Sequence, residues 1–82
     1  MARRIDSLGV GEKVVLDFTG SMGNTGYRET MIFKGITGEG EKRRATFADQ
    51  YTEDEWEAYR YNKHWAYGSS ADRLRVVEVL HD

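Results

Sequence analysis

Glycines divide this 82-residue chain into short runs in which apolar and polar residues alternate. The clearest run is residues 12–19, where Val14, Leu16 and Phe18 occupy every second position. Successive side chains of a β-strand point to opposite faces, so this spacing predicts a strand with one buried face. Proline is absent and the nine glycines lie mostly between such runs, as is typical of strands joined by turns. The pattern therefore predicts a mainly β protein.

The second run predicts a strand with a bend in it. Residues 27–36 place Met31 and Phe33 on one face, whereas Ile36 falls out of phase with them. A bulge or sharp bend at Gly35 would return Ile36 to the core side. Strands bent in this way allow a short sheet to curl into a barrel.

Two more runs extend the sheet. Residues 42–49 are predicted to form a third strand, and residues 73–80 a last one. The last strand is expected to place Leu74, Val76 and Leu80 on one face and valines on the other. Apolar residues on both faces are typical of a strand that is covered twice, as a central or closing strand would be.

The aromatic residues are concentrated in residues 47–68, which hold both tryptophans and four of the five tyrosines. At the start of this stretch, Thr52 and Glu55 have the spacing of a capping box, which predicts a short helix near 53–61. The later aromatics alternate with other residues, which predicts a strand near 63–67. The same alternation leaves open that residues 53–61 also form a strand and not a helix.

The opening Leu8-Gly-Val-Gly-Glu-Lys-Val14, which leads into the first strand, resembles the Leu-x-x-Gly-Asp-x-Val opening common to small SH3-like barrels, with Glu12 in place of Asp. The resemblance implies a single small, strongly bent antiparallel barrel of about five strands with one short helix near 53–61. Small barrels of this kind include nucleic-acid binders, peptide binders and assembly subunits, so the fold alone does not choose a function.

Length and composition limit the organisation further. We expect one domain, residues 1–82, with residues 1–8 as an N-terminal arm anchored by Ile5 and Leu8. The chain has no cysteine, which excludes disulfides, thiolate zinc sites and cysteine nucleophiles. No apolar run approaches the roughly 18 residues needed to span a membrane. The first residues are not followed by the apolar region that a secretory signal would have. A cytoplasmic location without membrane contact is therefore expected.

Little in the sequence points to catalysis or to a bound cofactor or metal. A nucleophile–base–acid set can be drawn from Ser69 or Ser70 with His64 and Asp72, but no elbow motif accompanies it. Residues 20–26 are rich in glycine, yet a strand rather than a helix follows them, which favours a hairpin loop over a phosphate loop. We expect no enzyme activity, no metal site and no cofactor.

The residue types that remain are those of a binding surface. Protein interfaces are enriched in Trp, Tyr and Arg, and an acidic cluster adjoins these residues here. The predicted partner-binding residues are Trp56, Tyr59, Arg60, Tyr61, Lys63, Trp65, Tyr67, Glu53 and Glu57. They predict a non-enzymatic protein-interaction module, such as an adaptor, assembly subunit or inhibitor, that binds a protein partner or a second copy of itself.

Three alternatives stay open. The first is a single-stranded nucleic-acid binder in which rings from residues 56–67 stack on bases and cations contact phosphates. Its candidate contacts are Arg43, Arg44, Arg60 and Lys63. The net charge of −2 argues against a general nucleic-acid binder. The second alternative is an unspecialised pocket for a small ligand. The third is that Trp56, Tyr59 and Trp65 simply close one end of the barrel.

Overall fold

The computed structural model describes residues 4–18, 27–69 and 71–80 and forms one antiparallel barrel. Each strand pairs with the next along the chain, and the last returns to pair with the first. The strands are β1 (Lys13–Phe18), β2 (Tyr27–Thr37), β3 (Arg44–Asp49), β4 (Glu55–Tyr61), β5 (His64–Tyr67) and β6 (Asp72–Leu80). The predicted mainly β, antiparallel barrel is confirmed, with six strands instead of about five.

The core is built from the alternating residues that the sequence pattern singled out. Val14, Leu16 and Phe18 of β1 are all buried, which confirms the predicted inward face of the first strand. At the centre, Phe47 is fully buried, with its ring centroid 5.5 Å from that of Phe33. Aromatic rings bury more area than other side chains, so contacts of this kind fix where a small core lies.

The predicted bend in β2 is present. The pairing of β2 with β3 shifts register between Phe33 and Gly35, and Gly35 has a φ of 127° that side-chain-bearing residues rarely adopt. Beyond the shift, Ile36 lies opposite Ala45 and packs against the core. The glycine bulge therefore returns an out-of-phase residue to the interior, as predicted.

The helix predicted near 53–61 is wrong, because residues 55–61 form strand β4. Its capping-box residues instead form a turn: the Thr52 hydroxyl accepts a hydrogen bond from the N–H of Asp54. Glu53 has a φ of 63°, a left-handed conformation that reverses the chain and does not start a helix. A single helix of about nine residues is marginal alone, whereas this segment gains pairing with β3 on one side and β5 on the other.

The last strand carries a second irregularity. The pairing of β1 with β6 skips Val77, because Leu16 lies opposite Val76 while the preceding residue of β1 lies opposite Glu78. The extra residue reverses the inward and outward alternation beyond it. Val79 therefore packs against the core, and the prediction that Leu80 shares the face of Val76 is wrong.

The segment that precedes β1 contacts the core. Residues Ile5–Ser7 form a single turn of 3-10 helix, in which Ile5 is buried, and Leu8 packs against the same core cluster. The two residues expected to anchor this segment therefore do so. Within the described ranges, no helix has the length and apolar character needed to cross a membrane.

The β2–β3 connection yields a test of the fold. Gly38 and Gly40 both have positive φ, 84° and 57°, but a Cβ at Gly38 would lie 2.4 Å from the carbonyl oxygen of Lys42, whereas one at Gly40 would meet nothing within 4 Å. We expect Gly40→Ala to lower the free energy of unfolding by about 1 kcal/mol, and Gly38→Ala by about 1–3 kcal/mol more. Urea unfolding of the two variants measures the difference, and equal losses would contradict the described turn.

Candidate functional site

The wall of the barrel is incomplete between β5 and β6. The two strands pair only at Ala66 with Arg73 and at Tyr67 with Asp72, although β6 continues to Leu80. β5 extends back to His64, but His64 and Trp65 do not pair with β6, so the pairing ends two residues before the strand does. Among the described residues, no strand pairs with β6 on this side beyond Arg73.

A cavity of about 540 Å³ lies at this opening. One wall is β6, from Arg73 to Val77, and the opposite wall includes Lys63 and Trp65. The turn that precedes β1 contributes Ile5, whose side chain belongs to the core cluster. The cavity thus combines an apolar interior side with a polar rim, which is the usual composition of a ligand site.

Positive charge dominates the lining. Six of the lining residues are cationic: Arg4, Arg28, Arg60, Lys63, Arg73 and Arg75. Only Asp6 and Asp17 oppose them, and each already has a basic neighbour: Asp6 binds Arg43, and Asp17 lies 3.5 Å from Arg75. Because the whole chain carries a net charge of −2, the surface outside the cavity is acidic. A cleft lined by one sign of charge concentrates ligands of the opposite sign.

Trp65 is the tryptophan of the aromatic-rich residues 47–68 that lines the cavity. It lies directly across from Arg60 in the pairing of β4 with β5 and is only 5% exposed. The guanidinium of Arg60 lies 5.2 Å from the Trp65 ring centroid, and that of Arg43 lies 5.5 Å from it. These cation–π contacts hold two arginines beside the cavity. Within the described residues, the buried Nε1–H of Trp65 has no hydrogen-bond partner.

Two more of the predicted partner-binding aromatics belong to the interior. Trp56 stacks on Phe47 with ring centroids 5.4 Å apart, and its Nε1–H donates to the sulfur of Met31. Tyr67 meets Phe18 edge to face at 5.0 Å. Both side chains are half-buried and pack against the core cluster, so only part of each ring is accessible to a partner protein. The alternative that the aromatics close the barrel agrees with these contacts for Trp56 and Trp65 but not for Tyr59, which is absent from the core cluster.

The remaining predicted residues of β4 lie elsewhere. Tyr59 is on the outer face, where its hydroxyl donates to the carbonyl of Gly68 and the guanidinium of Arg44 lies 6.0 Å from its ring. Arg44 therefore does not line the cavity, unlike Arg60 and Lys63. Tyr61 is 48% exposed and meets His64 edge to face at 6.1 Å. The expected cluster is thus divided among the core, the outer face and the cavity.

The acidic residues gather at the β3–β4 connection and the outer face of β4. Glu53 and Glu57 are exposed, and Tyr51 beside them is 84% exposed. The N–H groups of Thr52 and Tyr51 donate to Asp49 Oδ1 at 3.0 and 2.8 Å, and these bonds hold the pKa of the Asp49 carboxyl below its ordinary value of 3.8. A carboxylate thereby stabilises this turn.

Sequence reasoning missed three of the cavity cations, Arg28, Arg73 and Arg75. Their positions carry a readable signal, because Arg73 and Arg75 alternate with the buried Leu74 and Val76 and so share one face of β6. Whether they lie near Lys63 depends on where the pairing of β5 with β6 ends. The β-propensity of the individual residues does not reveal that position.

The described residues contain no group of three or more His, Asp or Glu side chains that could hold a metal ion. The arrangement at the cavity is one of fixed cations beside an apolar wall, which suits binding of an anionic ligand. Comparison of the chain with protein-family models, curated proteins and solved structures finds no match.

The Asp49 turn predicts a specific pH dependence. Because the folded-state pKa is lowered, the carboxylate stabilises the fold at neutral pH, and this contribution is lost as the pH falls below 3.8 through the lowered pKa. We expect Asp49→Ala to be less stable than the wild type at pH 7 and the difference to shrink on acidification.

Thermal unfolding followed by circular dichroism across this pH range measures the effect. The matched control is Asp49→Asn, which keeps an acceptor oxygen without the charge and should be intermediate at neutral pH. A stability difference between the wild type and Asp49→Ala that stayed constant down to the acid limit would contradict this role.

Proposed function

We propose that the protein is a non-enzymatic interaction module whose basic cavity binds an acidic segment of a protein partner. The observation that carries the proposal is the excess of six cations over two carboxylates around one cavity in a chain of net charge −2. This separation of charge steers an acidic ligand toward one place on the molecule and away from the rest of its surface.

The lining favours a protein ligand because it is only partly polar. Leu74 and Val76 are buried at the cavity wall beside exposed Arg73 and Arg75, so apolar and basic groups alternate along it. A peptide can present apolar and acidic side chains in the same alternation. The proposal moves the expected contact surface from the aromatic residues, most of which pack inward, to the cavity that Arg60, Lys63 and Trp65 help to line.

An SH3-like relationship belongs to the same proposal. The opening at residues 8–14, the bent β2 and the six-strand closed barrel support it. Small barrels of this kind include peptide binders and assembly subunits, and an adaptor or assembly role in the cytoplasm is part of the proposal.

Single-stranded nucleic acid is the second candidate ligand. Arg60, Lys63 and Trp65 lie together at the cavity, and phosphates are attracted to the same cations. Base stacking needs an accessible ring, however, and Trp65 is 5% exposed. Of the predicted aromatics, Tyr61 alone is an exposed large side chain near Lys63. This candidate therefore ranks second.

The acidic surface at Glu53 and Glu57 remains a predicted second interface. It has the charge opposite to that of the cavity, so a second copy of the chain is one partner that it suits. Size-exclusion chromatography at low and high salt tests this self-association, because ionic contacts between copies weaken as salt screens them.

The central test is binding of a fluorescein-labelled oligoglutamate peptide, followed by anisotropy. We expect saturable binding that weakens with salt. Arg73→Gln with Arg75→Gln should weaken it about 5-fold, since exposed ion pairs contribute about 0.5 kcal/mol each. Lys34→Gln with Lys42→Gln is the matched control, because these exposed lysines do not line the cavity and the change in net charge is equal.

Three results would contradict the proposal. The first is no saturable binding of oligoglutamate by the folded wild type. The second is equal weakening by the two pairs of substitutions, since the site would then be the general surface. The third is tighter binding of an oligothymidylate of the same length, which would make nucleic acid the ligand. Glu53→Lys with Glu57→Lys should leave binding to the cavity intact.

A further inference from the structure

The side of β6 that faces the cavity is a strand edge without a partner. β6 pairs with β1 along residues 74–80, but its other side is paired only at Asp72 and Arg73 within the described part of the chain. Successive residues of a strand direct their N–H and C=O groups to opposite sides of the strand, so every second residue faces a given neighbour. The backbone groups on the open side therefore lie beside the cavity along the residues that line it, as far as Val77.

We infer that the partner binds as an added β-strand along this edge, in an extended segment that alternates acidic and apolar residues. This inference rests on the proposed function and specifies how the acidic ligand is held. Natural proteins usually cover or charge an open strand edge to prevent unwanted pairing. Here the edge is flanked by cations that would repel a basic strand and attract an acidic one.

The side chains of β6 determine the pattern of the ligand. Leu74 and Val76 point inward and are 3% exposed, whereas Arg73 and Arg75 point outward and are exposed. Neighbouring strands place side chains of the same face side by side, so opposite charges and apolar pairs stabilise the contact. Acidic residues of the ligand would lie beside Arg73 and Arg75, and apolar residues beside Leu74, Val76 and the buried Ile5.

The same edge explains why a peptide fits better than a nucleic acid. A peptide backbone carries both donors and acceptors and can pair with every group that β6 presents. A phosphodiester backbone carries acceptors only, so it would leave the carbonyl groups of the edge unpaired in a partly desolvated site.

The test uses an acetylated, amidated peptide of about six alternating Val and Glu residues, long enough to run along residues 73–77, the part of β6 that lines the cavity and precedes the reversal of alternation. The control peptide has the same composition with all Val before all Glu. Both peptides have equal charge, so a site that recognises charge alone should bind them equally, whereas a strand edge should prefer the alternating one. We expect the alternating peptide to bind at least about 10-fold more tightly, because only it matches both faces of β6.

N-methylation of one peptide amide at a time then reports on backbone pairing. A methyl group removes a donor and blocks close approach, so every second position should weaken binding about 10-fold and the positions between them less than about 2-fold. A folded Arg73→Gln, Arg75→Gln variant should weaken both peptides without changing this alternation.

The outcomes separate the two levels of the proposal. If both peptides bind equally and no alternation follows N-methylation, charge alone holds the ligand, and strand addition is overturned while the acidic-peptide function stands. If neither these peptides nor oligoglutamate bind the folded protein, both are overturned. Tight binding of the alternating peptide with a period of two in the methylation series supports strand addition.

Discussion

The short pairing between β5 and β6 determines where this barrel opens. The four residues of β5 pair with β6 at two positions, after which the two strands separate. β6 is nevertheless held in place, because it pairs with β1 along that strand's whole length. The barrel therefore closes through β6 and β1 while an opening remains beside β5. The cavity, its apolar interior side and the unpaired edge of β6 all lie where this pairing ends.

The opening matters because of the charge around it. The chain as a whole is slightly acidic, so its net charge gives no hint of a basic site. Strand register brings the cations together: Arg73 and Arg75 share one face of β6, and Arg60 lies across from Trp65. Several carboxylates instead lie at the β3–β4 turn, where backbone N–H groups stabilise Asp49. A small barrel can thus carry two surfaces of opposite sign, and each attracts molecules of the opposite charge.

The sequence predicted the fold well wherever side-chain alternation was clear. The inward face of β1 and the bulge at Gly35 follow directly from period-two spacing and one glycine. The predicted helix failed because Thr52 and Glu55 have the same spacing in a turn as in a capping box, and only pairing with β3 and β5 decides between them. The cavity could not be predicted from the sequence for a related reason. It depends on residues distant in sequence, such as Arg28 and Arg75, and on the register that joins them.

Amide hydrogen exchange of the free protein, measured residue by residue by NMR, tests the account most directly. An N–H that is paired across a strand exchanges only when the strand opens, whereas an unpaired N–H exchanges readily. In residues 74–80 the account predicts alternation that changes phase at Val77: amides directed toward β1 are protected, and those directed toward the open side of β6 exchange quickly. Uniform protection along this segment would show that β6 is covered on both sides, and the binding edge would not exist.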